Sequence, residues 1–155
     1  MKKQFTLMAF LFLATCSFAQ SNKEDVDLIQ AAIGKDKKAL FSEFMILEVA
    51  QKDAFWTLYD EYEGKRKELG KKRISLLEKY VNSYESMSDS DTEQSLKDMM
   101  KMADDTNSLI VTYTNKMKKP AGVKAAAQFY QMENYLLSLV RAQILSSIPV
   151  LGGKK

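Results

Sequence analysis

Proline is absent from residues 1–119 of this chain, which contains only Pro120 and Pro149. Its six glycines are also few for a chain of 155 residues. Proline and glycine are the residues that most often end or bend a helix, so their scarcity predicts long helices with short breaks. Apolar residues at helical spacing between those breaks predict an all-α fold of four helices, or five if the first is split.

One helix is predicted to be much longer than the others, from about Val49 to Tyr84. Its apolar face repeats at spacings of three, four and seven residues and consists of Phe55, Tyr59, Tyr62, Leu69, Leu76 and Tyr80. A helix of about 36 residues is about 54 Å long, whereas a compact globule of about 136 residues is only roughly 37 Å across. The sequence therefore predicts an elongated bundle with one long central helix.

Two shorter stretches precede this helix. The motif Ser21-x-x-Glu24 has capping-box spacing, and the stretch that follows it carries an apolar face of Val26, Ile29 and Ile33. Gly34 is a suitable end for that stretch, and Asp36 can begin a second one with Leu40, Phe41 and Phe44. The pattern leaves open whether these are two helices or one.

Two further helices are predicted after the long one. The motif Ser90-x-x-Glu93 predicts the start of the first, with Asp89 and Asp91 near its positive end. A three-four alternation typical of antiparallel packing follows and comprises Leu96, Met99, Ala103, Thr106, Ile110, Tyr113 and Met117. Residues 119–122, which include Pro120, separate it from a last helix over 123–147.

The last helix has a wide apolar face. At 100° per residue, an arc of about 160° contains Phe129, Tyr130, Met132, Leu136, Leu137, Leu139, Val140 and Ile144. This arc is wide enough for two partners, one of which another subunit could supply. Glu133 lies inside the arc, where an unpaired charge would be unfavourable. We therefore predict a structural ion pair between Glu133 and Arg73 or, failing that, Arg66.

The first nineteen residues have the pattern of a secretory signal peptide. Lys2 and Lys3 precede an apolar run, and Ser17 and Ala19 suit a signal-peptidase site. The run is shorter than the ~20 residues that a membrane span needs. The sequence thus predicts a signal peptide over 1–19, a single domain over 20–155 and a periplasmic location. Lipid attachment at Cys16, which ends a lipoprotein-like box, is the less favoured alternative.

The amino-acid composition of the mature chain limits the kinds of catalytic and metal site that it can form. The chain has no histidine, and its one cysteine, Cys16, would leave with the signal peptide. Disulfides, most zinc sites and Ser-His or Cys-His nucleophiles are then excluded, so we expect neither an enzyme nor a cofactor or metal site. Removing Lys2 and Lys3 leaves 21 of the 23 basic residues against 20 acidic ones, and this balance does not indicate nucleic acid.

Three stretches carry a recognisable motif. The first reads Leu-Glu-Val-Ala-Gln at residues 47–51 and continues as an aromatic helix over residues 55–62. The second stretch is residues 87–91, and the third is residues 129–134. Together they resemble the Leu-Thr-x-x-Gln motif, its repeat and the final helix of the Spy/CpxP family of bacterial periplasmic proteins. The family's threonine is Glu48 here, and the second copy lacks both leucine and glutamine.

The resemblance implies an all-helical, cradle-shaped protein, usually an antiparallel homodimer. It also implies that the chain either shields unfolding proteins without ATP or modulates envelope-stress signalling. Our leading interpretation is a periplasmic chaperone-like protein that binds partly unfolded envelope proteins. The alternatives are a regulatory module that binds one sensor or anti-sigma protein, and a purely structural helical bundle.

Candidate client-binding residues come from a basic run, a methionine cluster and an aromatic stretch. They are Phe41, Phe44, Lys65, Arg66, Lys72, Met100 and Met102. Cations can steer an acidic client, and flexible methionine side chains suit varied apolar partners. Each set also has a plainer explanation, because charge runs often form a solvated helix face and methionines often fill a core. Copper(I) binding by the methionines is a further alternative.

Overall fold

The computed structural model describes residues 36–151. In this range the chain forms four helices and no strand: α1 (Lys37–Phe44), α2 (Val49–Ser83), α3 (Asp89–Met117) and α4 (Val123–Ser147). The all-α prediction is therefore confirmed. None of these four helices combines the length and the apolar character that crossing a membrane requires. The predicted signal peptide, Cys16 and the helix expected after Ser21 lie outside the described residues.

The helix starts show which capping residues the chain uses. Asp36 caps α1 as predicted, since its carboxylate accepts a hydrogen bond from the Ala39 backbone N–H at 3.0 Å. The start of α3 differs from the prediction, because Ser88 rather than Ser90 is the capping residue. The Ser88 hydroxyl accepts from the backbone N–H of Asp91 at 3.2 Å, and the helix begins at Asp89. The Ser88 side chain therefore satisfies a backbone N–H at the start of the helix, whereas Ser90 lies inside the helix.

Gly122 forms the turn between α3 and α4. Its φ of +89° lies in a region that side chains other than glycine rarely adopt. A Cβ at this position would lie only 2.9 Å from the Nε2 atom of Gln51, which comes from the first turn of α2. The turn is thus specified by both backbone conformation and close packing.

The three long helices run alternately up and down. Along α2 and α3, the Tyr62 ring meets the Tyr113 ring at 5.6 Å, and Arg73 donates to Thr106 at 3.1 Å. Residue numbers therefore rise on α2 as they fall on α3, which makes the pair antiparallel. After the Gly122 turn, α4 returns along α3 and lies parallel to α2. The Tyr62 ring accordingly also packs edge-on against Phe129 of α4, at 5.0 Å.

The short helix α1 lies in the furrow between α2 and α4 and runs antiparallel to both. At its start, Lys37 lies between Glu63 of α2 and Glu133 of α4. At its end, the Gln128 side chain donates to the carbonyl of Phe44 at 3.3 Å. Helix α1 thus fills one half of the furrow. In residues 36–151, the other half remains open along residues 66–77 of α2 and 137–147 of α4.

The side chains that are almost completely buried are concentrated in the half of the bundle that contains α1. The largest are Phe41, Phe55, Tyr59, Tyr62, Ile110, Tyr113, Met117, Phe129 and Leu136. The predicted seam of α3 is confirmed here, from Thr106 to Met117. It is wrong nearer the start of α3, where Leu96 and Ala103 are exposed and Met102 is buried instead. The reason is that the helices enclose a groove at this end rather than a closed core.

Candidate functional site

The open half of the bundle contains an apolar groove of about 250 Å³, which we call the distal groove. All three long helices contribute to it. Its lining residues are Arg73, Leu76, Leu77, Met99, Met102, Ala103, Arg141, Ile144, Leu145 and Ile148. Apart from the two arginines, every lining residue is apolar. A concave apolar surface with a few polar groups is the usual form of a binding site in proteins.

The sequence places these residues on single helix faces. On α2 the spacing from Arg73 is three and four residues, and on α4 the spacing from Arg141 is three, four and seven. Residues at these separations lie on one side of a helix. Because α2 and α4 are parallel, their two arginines lie towards the same end of the groove. The apolar residues of both helices then extend from that end towards their C-termini.

The two arginines are held by neighbouring residues of α3. The guanidinium of Arg73 donates to the Thr106 hydroxyl at 3.1 Å, and that of Arg141 donates to the Asn107 side-chain oxygen at 3.1 Å. The Thr106 hydroxyl in turn donates to the carbonyl of Met102 at 2.8 Å. These contacts fix the position of each guanidinium relative to α3. The inner end of the groove therefore places two guanidinium groups beside apolar side chains.

A buried ionic cluster lies at the start of α1, on the side that faces the distal groove. The Lys37 ammonium lies 2.7 Å from one carboxylate oxygen of Glu133 and also pairs with Glu63. Arg66 donates twice to Glu63, at 3.0 and 3.1 Å. The Tyr62 hydroxyl donates to Glu133 at 2.7 Å. Two cations thus face two carboxylates, and burial is tolerated because each charge has a counter-charge and hydrogen bonds.

This cluster corrects the predicted ion pair. The cation that the structure places on Glu133 is Lys37, not Arg73, whose guanidinium reaches Thr106. Arg66, the second choice, binds Glu63 on its own helix. Arg66, Arg73 and Glu133 nevertheless line one small cavity of about 20 Å³.

The environment of the cluster shifts the ionisation equilibria of Glu63 and Tyr62. Burial alone would raise the pKa of Glu63, but the charges of Lys37 and Arg66 outweigh it and hold this pKa below its usual value. Burial, reinforced by the carboxylate of Glu133, raises the pKa of Tyr62 well above its ordinary value. Glu63 is therefore ionised and Tyr62 neutral near pH 7, as their hydrogen bonds require.

The predicted client-binding residues are divided between surface and interior. Phe44 and Met100 are each 60% exposed, and Lys65 and Lys72 are exposed on α2. The others are buried: Phe41, Arg66 and Met102. Two of these positions are corrections, because the Phe41 ring belongs to the aromatic core and the Arg66 guanidinium to the ionic cluster. Met102 is buried but lines the distal groove, so it stays a candidate.

The two exposed lysines lie away from the distal groove. Lys65 and Lys72 line a shallow depression on the other side of the α2–α3 pair, together with Leu69 and Leu109. The structure thus does not bring the basic run and the methionine cluster together on one surface. The predicted client-binding set contains Met102 but none of the other nine residues that line the distal groove, such as Leu77 and Leu145. The three, four and seven spacing that begins at Arg141 was the signal in the sequence that could have found Ile144, Leu145 and Ile148.

Comparisons of the chain with protein-family models, with curated proteins and with solved structures gave no match.

Proposed function

We propose that this protein is an exported, chaperone-like protein of the Spy/CpxP type that binds partly unfolded envelope proteins without ATP. The observation that carries the proposal is the distal groove, an open apolar concavity between three helices with two guanidiniums at its inner end. Apolar segments of an unfolding protein bury surface in such a groove, at roughly 25 cal/mol per Å² of apolar area. A periplasmic location, a cleaved signal peptide and a homodimer are parts of this proposal.

The rims of the groove support binding to varied clients. Leu145 is 69% exposed while also lining the groove, and Met100 is 60% exposed on the neighbouring helix. Large exposed side chains of this kind stay accessible to a partner. Met99 and Met102, which line the groove, have flexible thioether side chains that adapt to differently shaped partners. The exposed guanidinium of Arg141, which lines the groove, favours clients with an acidic residue beside their apolar segment.

An aggregation assay tests the proposal. The protein should suppress the aggregation of three unrelated denatured proteins at near-stoichiometric ratios and without nucleotide. The variant Leu145→Asp should lose this effect, because a carboxylate in the groove repels apolar segments. The neighbouring variant Ser146→Asp is the matched control, since Ser146 is exposed and does not line the groove. Both place one negative charge near the C-terminus of α4, so any difference between them reports the groove.

Two results would overturn the proposal. A protein that ignores all three clients but binds one sensor or anti-sigma protein tightly is a regulator. Equal activity of Leu145→Asp and Ser146→Asp would instead show that clients bind elsewhere.

A further inference from the structure

Five exposed lysines lie at the end of the bundle that is remote from the distal groove, and we call this end the basic end. Helices α2 and α4 both begin there, and the turn between α3 and α4 lies beside them, because Gly122 packs against Gln51. In residues 36–151, none of the five lysines forms an ion pair with a carboxylate. They are Lys52, Lys116, Lys118, Lys119 and Lys124.

Charge is distributed unevenly along the bundle. Residues 106–132, which include the second half of α3, the turn and the first part of α4, contain no acidic residue. At the other end of the bundle, residues 85–98 contain five acidic residues and one basic residue. Such a distribution orients the molecule with its basic end towards a negatively charged surface. The carboxylates at the basic end belong to α1 and to the start of α2, and they are Glu43, Glu48 and Asp53.

Exposed apolar side chains accompany the lysines. Val49 and Ile46 are 87% and 79% exposed, more than any other large apolar side chain in residues 36–151. Phe44, at the end of α1, and Val123 are also mostly exposed. Val49 and Val123 are the first residues of α2 and α4, and a helical Cα–Cβ bond tilts towards the N-terminus. Both side chains therefore point beyond the end of the bundle.

This combination of groups matches the surface of an anionic lipid bilayer. Lysine ammonium groups bind the phosphates of the headgroups, and apolar side chains that project beyond the bundle enter the boundary between headgroups and acyl chains. A free phosphate or nucleotide would leave those apolar side chains in water. An acidic protein would attract the lysines, but it would also need an apolar hollow that fits the projecting side chains.

We propose that the basic end of this protein docks on the surface of an anionic lipid bilayer. Phe44, Ile46, Val49 and Val123 enter the interface, and the five lysines bind headgroup phosphates around them. From Val49 to Arg73, α2 rises by about 36 Å, so the distal groove lies far from the docked end. The inference stands without the proposed function, because lipid and clients bind at opposite ends of the bundle.

A fluorescent label on the full chain tests the docking. In a Cys16→Ser background, which has no other cysteine, Val49→Cys carries a polarity-sensitive fluorophore. The matched control carries the label at Ser90→Cys, since Ser90 is exposed in the first turn of α3 at the acidic end. Vesicles of phosphatidylglycerol and phosphatidylcholine should shift the emission of the first label to the blue, and high salt should reverse the shift. Vesicles of phosphatidylcholine alone should not shift it, and neither kind of vesicle should shift the control.

Charge variants of the labelled Val49→Cys protein give a second readout. Lys118→Gln with Lys119→Gln should weaken binding to the anionic vesicles by about 25-fold, because each lysine near such a surface contributes about fivefold. Lys65→Gln with Lys72→Gln removes the same charge from the side of α2. This pair should have little effect, because Lys65 lies about 24 Å along α2 from Val49, beyond the Debye length of about 10 Å at 0.1 M salt.

Four results would overturn the proposal. Three are equal shifts of the two labels, equal shifts of the Val49→Cys label with anionic and neutral vesicles, and equal losses for the two lysine pairs. The fourth is a shift of that label with polyglutamate but not with vesicles, which would assign the surface to an acidic protein. Helicity measured by circular dichroism should be equal for all variants, so that misfolding cannot imitate the effect. None of these measurements uses clients, so the aggregation assay remains a separate test.

Discussion

Lys37 and Glu133, which are 96 residues apart in sequence, form a buried ion pair that joins α1 to α4. Both side chains are only 3% exposed, and Lys37 also pairs with Glu63 of α2. One ammonium group therefore links three helices at the point where the filled half of the furrow ends.

Loss of this ammonium should destabilise the fold strongly. The variant Lys37→Met leaves two buried carboxylates with one cation fewer, and removing one partner of a buried ion pair costs about 3–5 kcal/mol. The neighbouring Lys38 is the control, because its ion pair with Asp60 is about half exposed on both sides. Lys38→Met should cost about 1 kcal/mol or less. Urea unfolding measures both free energies, and equal losses would contradict this account of the cluster.

The depressed pKa of Glu63 predicts a loss of stability in acid. A carboxyl group whose pKa is lower in the folded than in the unfolded chain binds fewer protons when folded. Its stabilisation is complete above the unfolded pKa, near 4.5, and is lost as the pH falls through the folded pKa. The free energy of unfolding should therefore decrease below about pH 4.5. Glu63→Gln should reduce this slope, whereas Glu68→Gln, at an exposed position, should leave it unchanged.

The cap of α3 can be tested with two serines. Ser88→Ala removes the hydroxyl that accepts from the Asp91 N–H and should cost about 1 kcal/mol. Ser90→Ala changes an exposed residue inside the helix and should be neutral or slightly stabilising. Thermal unfolding of the two variants measures the difference. A larger loss for Ser90→Ala would restore the start that the sequence motif predicted.

Two glycines should respond in opposite directions to alanine. Gly122→Ala forces a side chain into an unfavourable backbone conformation and against Gln51, and should cost about 1–3 kcal/mol. Gly64→Ala adds a methyl group on α2 where no atom lies within 4 Å, and should stabilise the protein by about 1 kcal/mol. Chemical denaturation of both variants tests the pair, and a stabilising Gly122→Ala would contradict the assigned turn.

Local patterns in the sequence predicted the helices well. The last helix was placed at 123–147, where α4 lies, and the long helix was predicted to end at Tyr84, one residue beyond the end of α2. Such boundaries depend on spacing, caps and breakers, which are all local. The N-cap of α3 was placed two residues late, at Ser90 instead of Ser88, because both serines have an acidic residue three positions later.

The partner of Glu133 and the groove could not be predicted in the same way. Lys37 reaches Glu133 only because the short helix α1 lies between α2 and α4, and no spacing within the sequence specifies that placement. The buried face of α3 likewise changes from Ala103 to Met102 where the three helices no longer close around a core. Both features arise from contacts between distant segments, which helical periodicity does not report.

The concentration of large aromatic side chains at one end of the bundle has a mechanical consequence. The helix segments around the distal groove do not pack against the rings of Phe55, Tyr62 and Phe129, which lie in the other half of the bundle. Amide hydrogens there should exchange with solvent sooner than those beside the rings, because their opening does not require global unfolding. Local opening around the distal groove should therefore occur while the aromatic half of the bundle stays folded.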